Sequence, residues 1–281
     1  MRRLKNTVIC VYRKLFARKS FYRFNRFLFS LSLRGMGVLN YENANLTGEN
    51  YFLQHSLCNW ISDEEELVVL DIGANEGDYA CKIKGFYPKA RIYAFEPHPK
   101  TYKRLKSKAV NYGFEALQLA CGREEGQIEL YDYSEAGSEG TSHASLYKSV
   151  IEEIHKSESK AWTVPVISLD CFIKKHELET VHLLKIDTEG HELSVIHGAQ
   201  HAINTGIIGI IQFEFNEMNV VSRTFFKDFF DVLPNYKFFR MLPDGLVSLG
   251  SYIPATCELF AFQNVVAIPC SMLTQSGLKR K

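Results

Sequence analysis

The sequence predicts an α/β domain in which helices cover both faces of a mostly parallel sheet, with an antiparallel strand at one edge and a basic helical arm in front. Three observations carry this. Apolar runs of strand length, among them "ELVVLDIG" (66–73), "ARIYAFEP" (90–97), "VHLLKID" (181–187) and "GIIGIIQFEF" (206–215), alternate with stretches of helical character. The runs are almost continuously apolar, which suits parallel strands covered on both faces better than strands with one wet side. Acids stand at or near their carboxyl ends (Asp71, Glu96, Asp187 and Glu214), where open α/β sheets bind their ligands.

The arm comes first. At 281 residues, 46% hydrophobic and 23% charged, the chain suits one large globular domain. Its net charge of +1 hides an asymmetry: positions 2–34 hold ten Lys and Arg and no acid, leaving 23 basic against 32 acidic residues beyond them, a balance of −9. Apolar residues at 4, 8, 11, 12, 15 and 16, then 21, 24, 27, 28 and 31, follow helical spacing. Such an arm could dock on the domain, join a second subunit in a homo-oligomer, or lie on an anionic membrane. We expect residues 1–50 to form the arm and 51–281 the domain, with an insertion at about 123–169. Seven scattered cysteines without a C-x-x-C suggest a reducing, cytoplasmic setting, with a peripheral place at the inner membrane face if the arm binds lipid. "VICVY" and "FLFSLSL" are too short for a secretory signal or for the roughly 18 apolar residues of a spanning helix.

Beyond the first strand, "EGDYACKIKGFYP" reads as a helix stopped at Pro88, and "PKTYKRLKSKAVNYG" as a helix closed by Gly113. "FEALQLACG" (114–122) is expected as a third strand. The insertion should hold two strands, "GQIELYDY" and "WTVPVISLD", around a Gly/Ser-rich loop. Asp170 is expected to N-cap the helix that follows, and "HELSVIHGAQHAI" should form one helix after the fourth strand. "YKFFRML" and "CELFAFQNVVAI" close the sheet as an antiparallel edge pair.

The first strand runs into "DIGANEGD". Gly73 and Gly77 allow a sharp turn and close approach of a ligand, but a dinucleotide fingerprint would require glycine where Asn75 stands. Glu96, 25 residues after Asp71, is placed to accept both hydroxyls of a ribose. A pyrophosphate would be repelled by Asp71, Glu76, Asp78 and Glu96, whereas S-adenosylmethionine carries a sulfonium and an ammonium that acids attract. The cofactor expected is therefore S-adenosylmethionine. An NAD-dependent sugar oxidoreductase is the weaker reading.

Together "VVLDIGANEGDYA", "FEPHP", "VISLDCF" and "LLKIDTEGHELSVIHGA" resemble the FkbM family of S-adenosylmethionine-dependent methyltransferases, from about residue 66 to 268. The resemblance implies a class I methyltransferase (Rossmann-like) fold and methyl transfer to oxygen on a sugar, glycan precursor or small natural product. Carried over by position, Asp71, Gly73, Ala74, Asn75 and Gly77 would serve the methionine portion of the cofactor and Glu96 its ribose. Cys121, between Ala120 and Gly122, would line the adenine.

Chemistry on a hydroxyl needs a base or a metal, because a sugar hydroxyl ionises far above neutral pH. Asp187 is the first candidate to position or deprotonate the acceptor, Glu189 a hydroxyl or divalent-metal ligand, and His191 an alternative base. A metal requirement is left open. Glu214 and the loop residue His143 are candidates for acceptor binding. Glu192 reads as a helix-start acid. His197 and His201 lack the glutamate of a zinc-binding H-E-x-x-H. The expected partner is a small-molecule or glycan acceptor and not nucleic acid, because the body is acidic and no N-P-P-Y motif follows the fourth strand. A catalytically silent partner protein held at a membrane by the arm is the alternative from another class.

Overall fold

In the computed structural model, residues 2–61, 66–133 and 159–275 are described. The arm forms two helices, α1 (Arg2–Phe16) and α2 (Tyr22–Gly35), followed by helical turns that begin with α3 (Glu49–Tyr51) and run to residue 59. The domain then proceeds through β1 (Val68–Ile72), α4 (Asp78–Phe86), β2 (Arg91–Phe95), α5 (Pro99–Tyr112), β3 (Glu115–Leu117), β4 (Ala120–Cys121), β5 (Gly126–Tyr133), β6 (Ser159–Ile167), α6 (Leu169–Lys175) and β7 (Val181–Ile186). It ends with α7 (Glu192–His197), α8 (Gln200–Asn204), β8 (Ile208–Phe215), α9 (Met218–Ser222), α10 (Phe226–Val232), β9 (Tyr236–Leu242), β10 (Gly245–Ser248), α11 (Pro254–Cys257), β11 (Gln263–Pro269) and α12 (Cys270–Gln275).

The main sheet has the order β10-β9-β11-β8-β7-β1-β2-β3. β8, β7, β1, β2 and β3 run parallel, and β11 is antiparallel to both its neighbours. Strand alternation divides the core cleanly. Val68, Leu70, Ile72, Leu184, Ile186, Ile211 and Phe213 face one layer. Val69, Leu183, Ile210, Val266 and Ile268 face the other, under α4 and the turns of residues 49–59. The continuous apolar runs thus arise because both faces are covered.

Four expectations change. "FEALQLACG" is not one strand: β3 pairs with β2, and the chain then leaves the sheet so that β4 pairs in parallel with β6 in a second sheet of order β4-β6-β5. β11 lies between β8 and β9 and is not at the edge; β10 is the edge strand on that side. The helix after β7 is two, broken at Gly198, where a Cβ would stand 2.0 Å from the Gly122 carbonyl oxygen. Asp170 does not N-cap α6. Ser168 does, accepting from Cys171 N–H, while Asp170 accepts from the N–H groups of His201 and Ala202 at the start of α8.

The arm does not dock on its own domain along its apolar face. Leu4, Val8, Leu15, Phe27 and Phe29 are more than half exposed, and Leu33 is the one buried residue of α2. No helix among the described residues is long and apolar enough to cross a membrane.

Candidate active site

The chain crosses from β1 through β2 to β3 on one side, then returns to place β7 and β8 on the other side of β1. Beyond the carboxyl ends of β1 and β7, where that reversal leaves a crevice, lies a cavity of about 520 Å³. Its lining comes from Gly73 and Asn75 after β1, Glu96 and Pro97 after β2, Leu119 to Cys121 around β4, Asp187 to Glu189 after β7, and Glu214 with Asn216 to Met218 at β8. Leu130 from β5, Tyr41 and Phe262 complete the wall.

Two loops build the floor. Asp187 N–H donates to Ile72 O at 2.9 Å, extending the β1–β7 ladder by one step. Gly73, at φ +74°, turns so close that a Cβ would stand 1.8 Å from Asp187 O, so this glycine is required by the contact between loops. Its neighbour Asn75, also left-handed at φ +48°, aims its N–H at Glu96 Oε2, 3.0 Å away. Glu96 Oε1 accepts from His98 N–H at 2.8 Å. Two backbone donors therefore fix the Glu96 carboxylate, which is only 7% exposed, at the cavity wall.

Beneath Asp187 sits a residue that sequence reasoning passed over. Lys185, buried in β7, reaches Asp187 Oδ2 at 3.1 Å and Asp71 Oδ1 at 3.7 Å, with the Tyr79 ring 5.1 Å from its Nζ. Burial alone would lower the Lys185 ammonium, but Asp187, Asp71 and Glu49 more than offset this and raise it above its ordinary value. Burial pushes the Asp71 carboxyl up to about 6, with Lys185 opposing. The available signal was a lone lysine inside the apolar run "HLLKI", since a buried lysine requires a partner.

Glu214 lies at the cavity wall and accepts from the Asn216 side-chain amide. Burial, reinforced by Asp187 and Glu189, holds its carboxyl well above the usual range. Glu192 turns away from the cavity and into the loop: Oε1 accepts from the N–H groups of Thr188 and Gly190 and from the Thr188 hydroxyl, at 3.0–3.1 Å. These bonds hold Glu189 in its left-handed conformation at φ +52°. Burial raises the Glu192 carboxyl to about 7.

Of the residues singled out from sequence, Gly73, Asn75, Glu96, Cys121, Asp187, Glu189 and Glu214 meet around one cavity. Four do not. Asp71 is fully buried behind the floor, paired with Lys185. Ala74 lines an adjoining polar recess beside Glu49, Asp78 and Lys82, which shares Gly73, Asn75 and Asp187 with the cavity. Gly77 packs its Cα against Leu105 at the start of α4. His191, just before α7, lies against Gly122 outside the cavity lining, and burial lowers its imidazole to about 4. His143 lies outside the described residues. Among the described residues, no group of three or more His, Cys, Asp or Glu is arranged to hold a metal ion.

The donor set suits a nucleoside that lacks phosphate. An acid for a ribose diol stands beside apolar walls from Leu119, Cys121 and Leu130, and among the described lining residues none is basic. The fold and crevice are those of a nucleoside-binding α/β protein. Residues 71–239 match the methyltransferase FkbM domain, more than half of the chain, and the protein belongs to the FkbM methyltransferase family.

Among its relatives is the hexuronic acid methyltransferase AglP of Haloferax volcanii, 29% identical over 144 residues, which cover 50% of this chain and 54% of that protein. The 2-O-methyltransferase NoeI of Sinorhizobium fredii is 22% identical over 66% of this chain and 78% of its own. The match thus spans little more than half the length of the Haloferax relative. A solved FkbM methyltransferase from Methylobacillus flagellatus aligns over 72% of this chain and 43% of its own at 13% identity, with a TM-score of 0.45.

Proposed function

We propose that the protein is an S-adenosylmethionine-dependent O-methyltransferase acting on an uncharged sugar or glycan hydroxyl. The observation that carries this is one cavity at the sheet's switch point, lined by Glu96 and the Gly73–Asn75 loop and also by Asp187, Glu189 and Glu214. Family membership and the names of AglP and NoeI support sugar oxygen as the acceptor atom. The cofactor would supply a methyl group activated on a sulfonium.

Within this reading, the Gly73–Asn75 turn and Glu96 hold the methionine and ribose portions, and Leu119, Cys121 and Leu130 receive the adenine. Asp187 accepts the hydrogen bond of the attacking hydroxyl and takes its proton, with Lys185 behind it fixing the carboxylate. Much of the rate then comes from holding the oxygen in line, about 3 Å from the methyl. Glu214, at the cavity wall, hydrogen-bonds a second acceptor oxygen. Glu96, Asp187, Glu189 and Glu217, with no cation among the described lining residues, disfavour a carboxylated sugar, so the acceptor differs in charge from the one in the AglP name. Peripheral contact of residues 1–34 with a membrane is independent of this reading and is supported by the arm's exposed basic and apolar surface.

Calorimetric titration with S-adenosylmethionine and with NAD, with and without EDTA, tests the cofactor. Saturable binding of the former alone is expected, and binding of NAD instead would overturn the reading. Radiolabelled methyl transfer is then screened over neutral and uronic-acid glycans. Asp187→Asn should retain cofactor binding while turnover falls by about 10²–10⁴. A cell-level phenotype that Asp187→Asn leaves intact would point to the silent partner protein instead.

A further inference from the structure

α1 and α2 present a surface that the rest of the chain leaves uncovered. Leu4, Val8, Val11, Tyr12 and Leu15 recur at helical spacing along α1, and Phe24, Phe27 and Leu31 along α2, each 38–71% exposed. The helices touch each other at their junction. Tyr12 stacks on Phe16 and Phe16 meets Phe21 edge-on, both with centroids 5.0 Å apart. The Tyr12 hydroxyl donates to Asn25 Oδ1 at 2.5 Å, and Asn25 Nδ2 donates to Phe16 O at 2.9 Å. The arm therefore has a defined shape, and its apolar residues are not drawn inward by that contact.

The occupant must cover aliphatic and aromatic side chains and also meet the cations of an arm that holds ten Lys and Arg and no acid, of which Arg34 is already paired with Glu42. A second arm would bring the same charge against it. The acidic body offers attraction, but its exposed large apolar residues, such as Phe86, Val110, Tyr112, Val220 and Val247, are spread over α4, α5, α9 and β10. Nucleic acid would satisfy the cations and leave the aliphatic residues wet. An anionic bilayer surface meets both demands: acyl chains for the apolar stripe and headgroup charge for the Lys and Arg.

The arm is also tied to the cavity. Leu33 and Val38 are buried in the body, and Leu39 N–H donates to Phe262 O at 2.8 Å. Tyr41 meets the Phe262 ring edge-on at 6.1 Å, and both side chains line the cavity. From Leu31 to Tyr41 the chain can span no more than about 30 Å.

We propose that residues 2–35 form a peripheral anchor that binds an anionic lipid surface and holds the cavity beside it, so that the acceptor is one presented at that surface. The consequence for the acceptor rests on the methyl-transfer reading; lipid binding does not, and is measured without turnover. Full-length protein is sedimented with phosphatidylcholine vesicles containing about one-third phosphatidylglycerol, and with pure phosphatidylcholine vesicles. Binding to the anionic vesicles alone, weakened by salt, is expected. The quadruple variant Arg13→Glu, Lys14→Glu, Arg23→Glu, Arg26→Glu should partition at least about tenfold less. Hydrogen exchange of the parent protein with vesicles should slow within residues 4–31.

Equal sedimentation of parent and variant, or no sedimentation of the parent, overturns the proposal. So does a dimer seen by light scattering that Phe27→Ser with Leu31→Ser dissolves, which would make a second copy the occupant. Calorimetry of the quadruple variant with S-adenosylmethionine reports on the cofactor separately, so either reading can fail alone.

Discussion

Glu96 shows how one side chain can join backbone geometry to ligand chemistry. Its two oxygens accept the N–H groups of Asn75 and His98, which fixes the carboxylate at the cavity wall before any ligand arrives. Glu96→Gln removes the charge and leaves one of those donors facing an amide. Affinity for S-adenosylmethionine should fall about tenfold to a hundredfold, as charged hydrogen bonds contribute about 1.5–3 kcal/mol. Calorimetry decides, and unchanged affinity would remove Glu96 from the cofactor site. Lys185 works from beneath. Among the described residues it stands within 4 Å of both Asp71 and Asp187, with the half-buried Glu49 also acting on it. Lys185→Met would leave those acids facing one another, at about 3–5 kcal/mol of stability, read as a large drop in the denaturant midpoint.

At the scale of elements, the loop after β7 is organised by a residue outside the cavity lining. Glu192 gathers the N–H groups of Thr188 and Gly190 and so shapes the turn that displays Asp187 and Glu189. The α7–α8 break has a steric cause. Gly198→Ala would gain about 1 kcal/mol in helix propensity. The new methyl, 2.0 Å from a backbone oxygen that no rotamer change can move, would cost about 1–3 kcal/mol or more. Net destabilisation in urea titration is expected, together with weaker cofactor binding because Gly122 adjoins Cys121. A stabilised Gly198→Ala would show that the two loops can part without penalty. The single-helix expectation failed here because hydrophobic periodicity continues through residues 198–199, and a contact 76 positions away in sequence interrupts it.

For the molecule as a whole, buried ionisable groups make stability depend on pH in opposing ways. Glu192, raised to about 7, keeps its proton in the folded state while the unfolded chain loses it near 4.5. Its stabilisation is therefore present below about 4.5 and is lost as pH rises to about 7. His191, lowered to about 4 from 6.5, acts in reverse and adds stability as pH rises across that interval. The two mask each other in the parent protein. Glu192→Gln, which keeps an acceptor oxygen but cannot ionise, separates them. Relative to the parent, the variant should gain stability progressively from pH 4.5 to 7, by up to about 3 kcal/mol. A pH-independent difference in denaturant titrations would refute the shift.

The sequence by itself determined the parallel sheet, its strand-end acids and the basic arm, because apolar runs, turn glycines and charge runs are local patterns. It also brought Glu96, Asp187 and Glu214 into view, since a strand's carboxyl end can be read from where its apolar run stops. Only the tertiary structure decided that Asp71 faces Lys185 and not the cavity, that His191 lies against Gly122, that β4 leaves the main sheet and that β11 enters between β8 and β9. Each of these depends on which residue distant in the chain arrives opposite, and the energy of a buried charge or an unpaired strand edge is set by that neighbour.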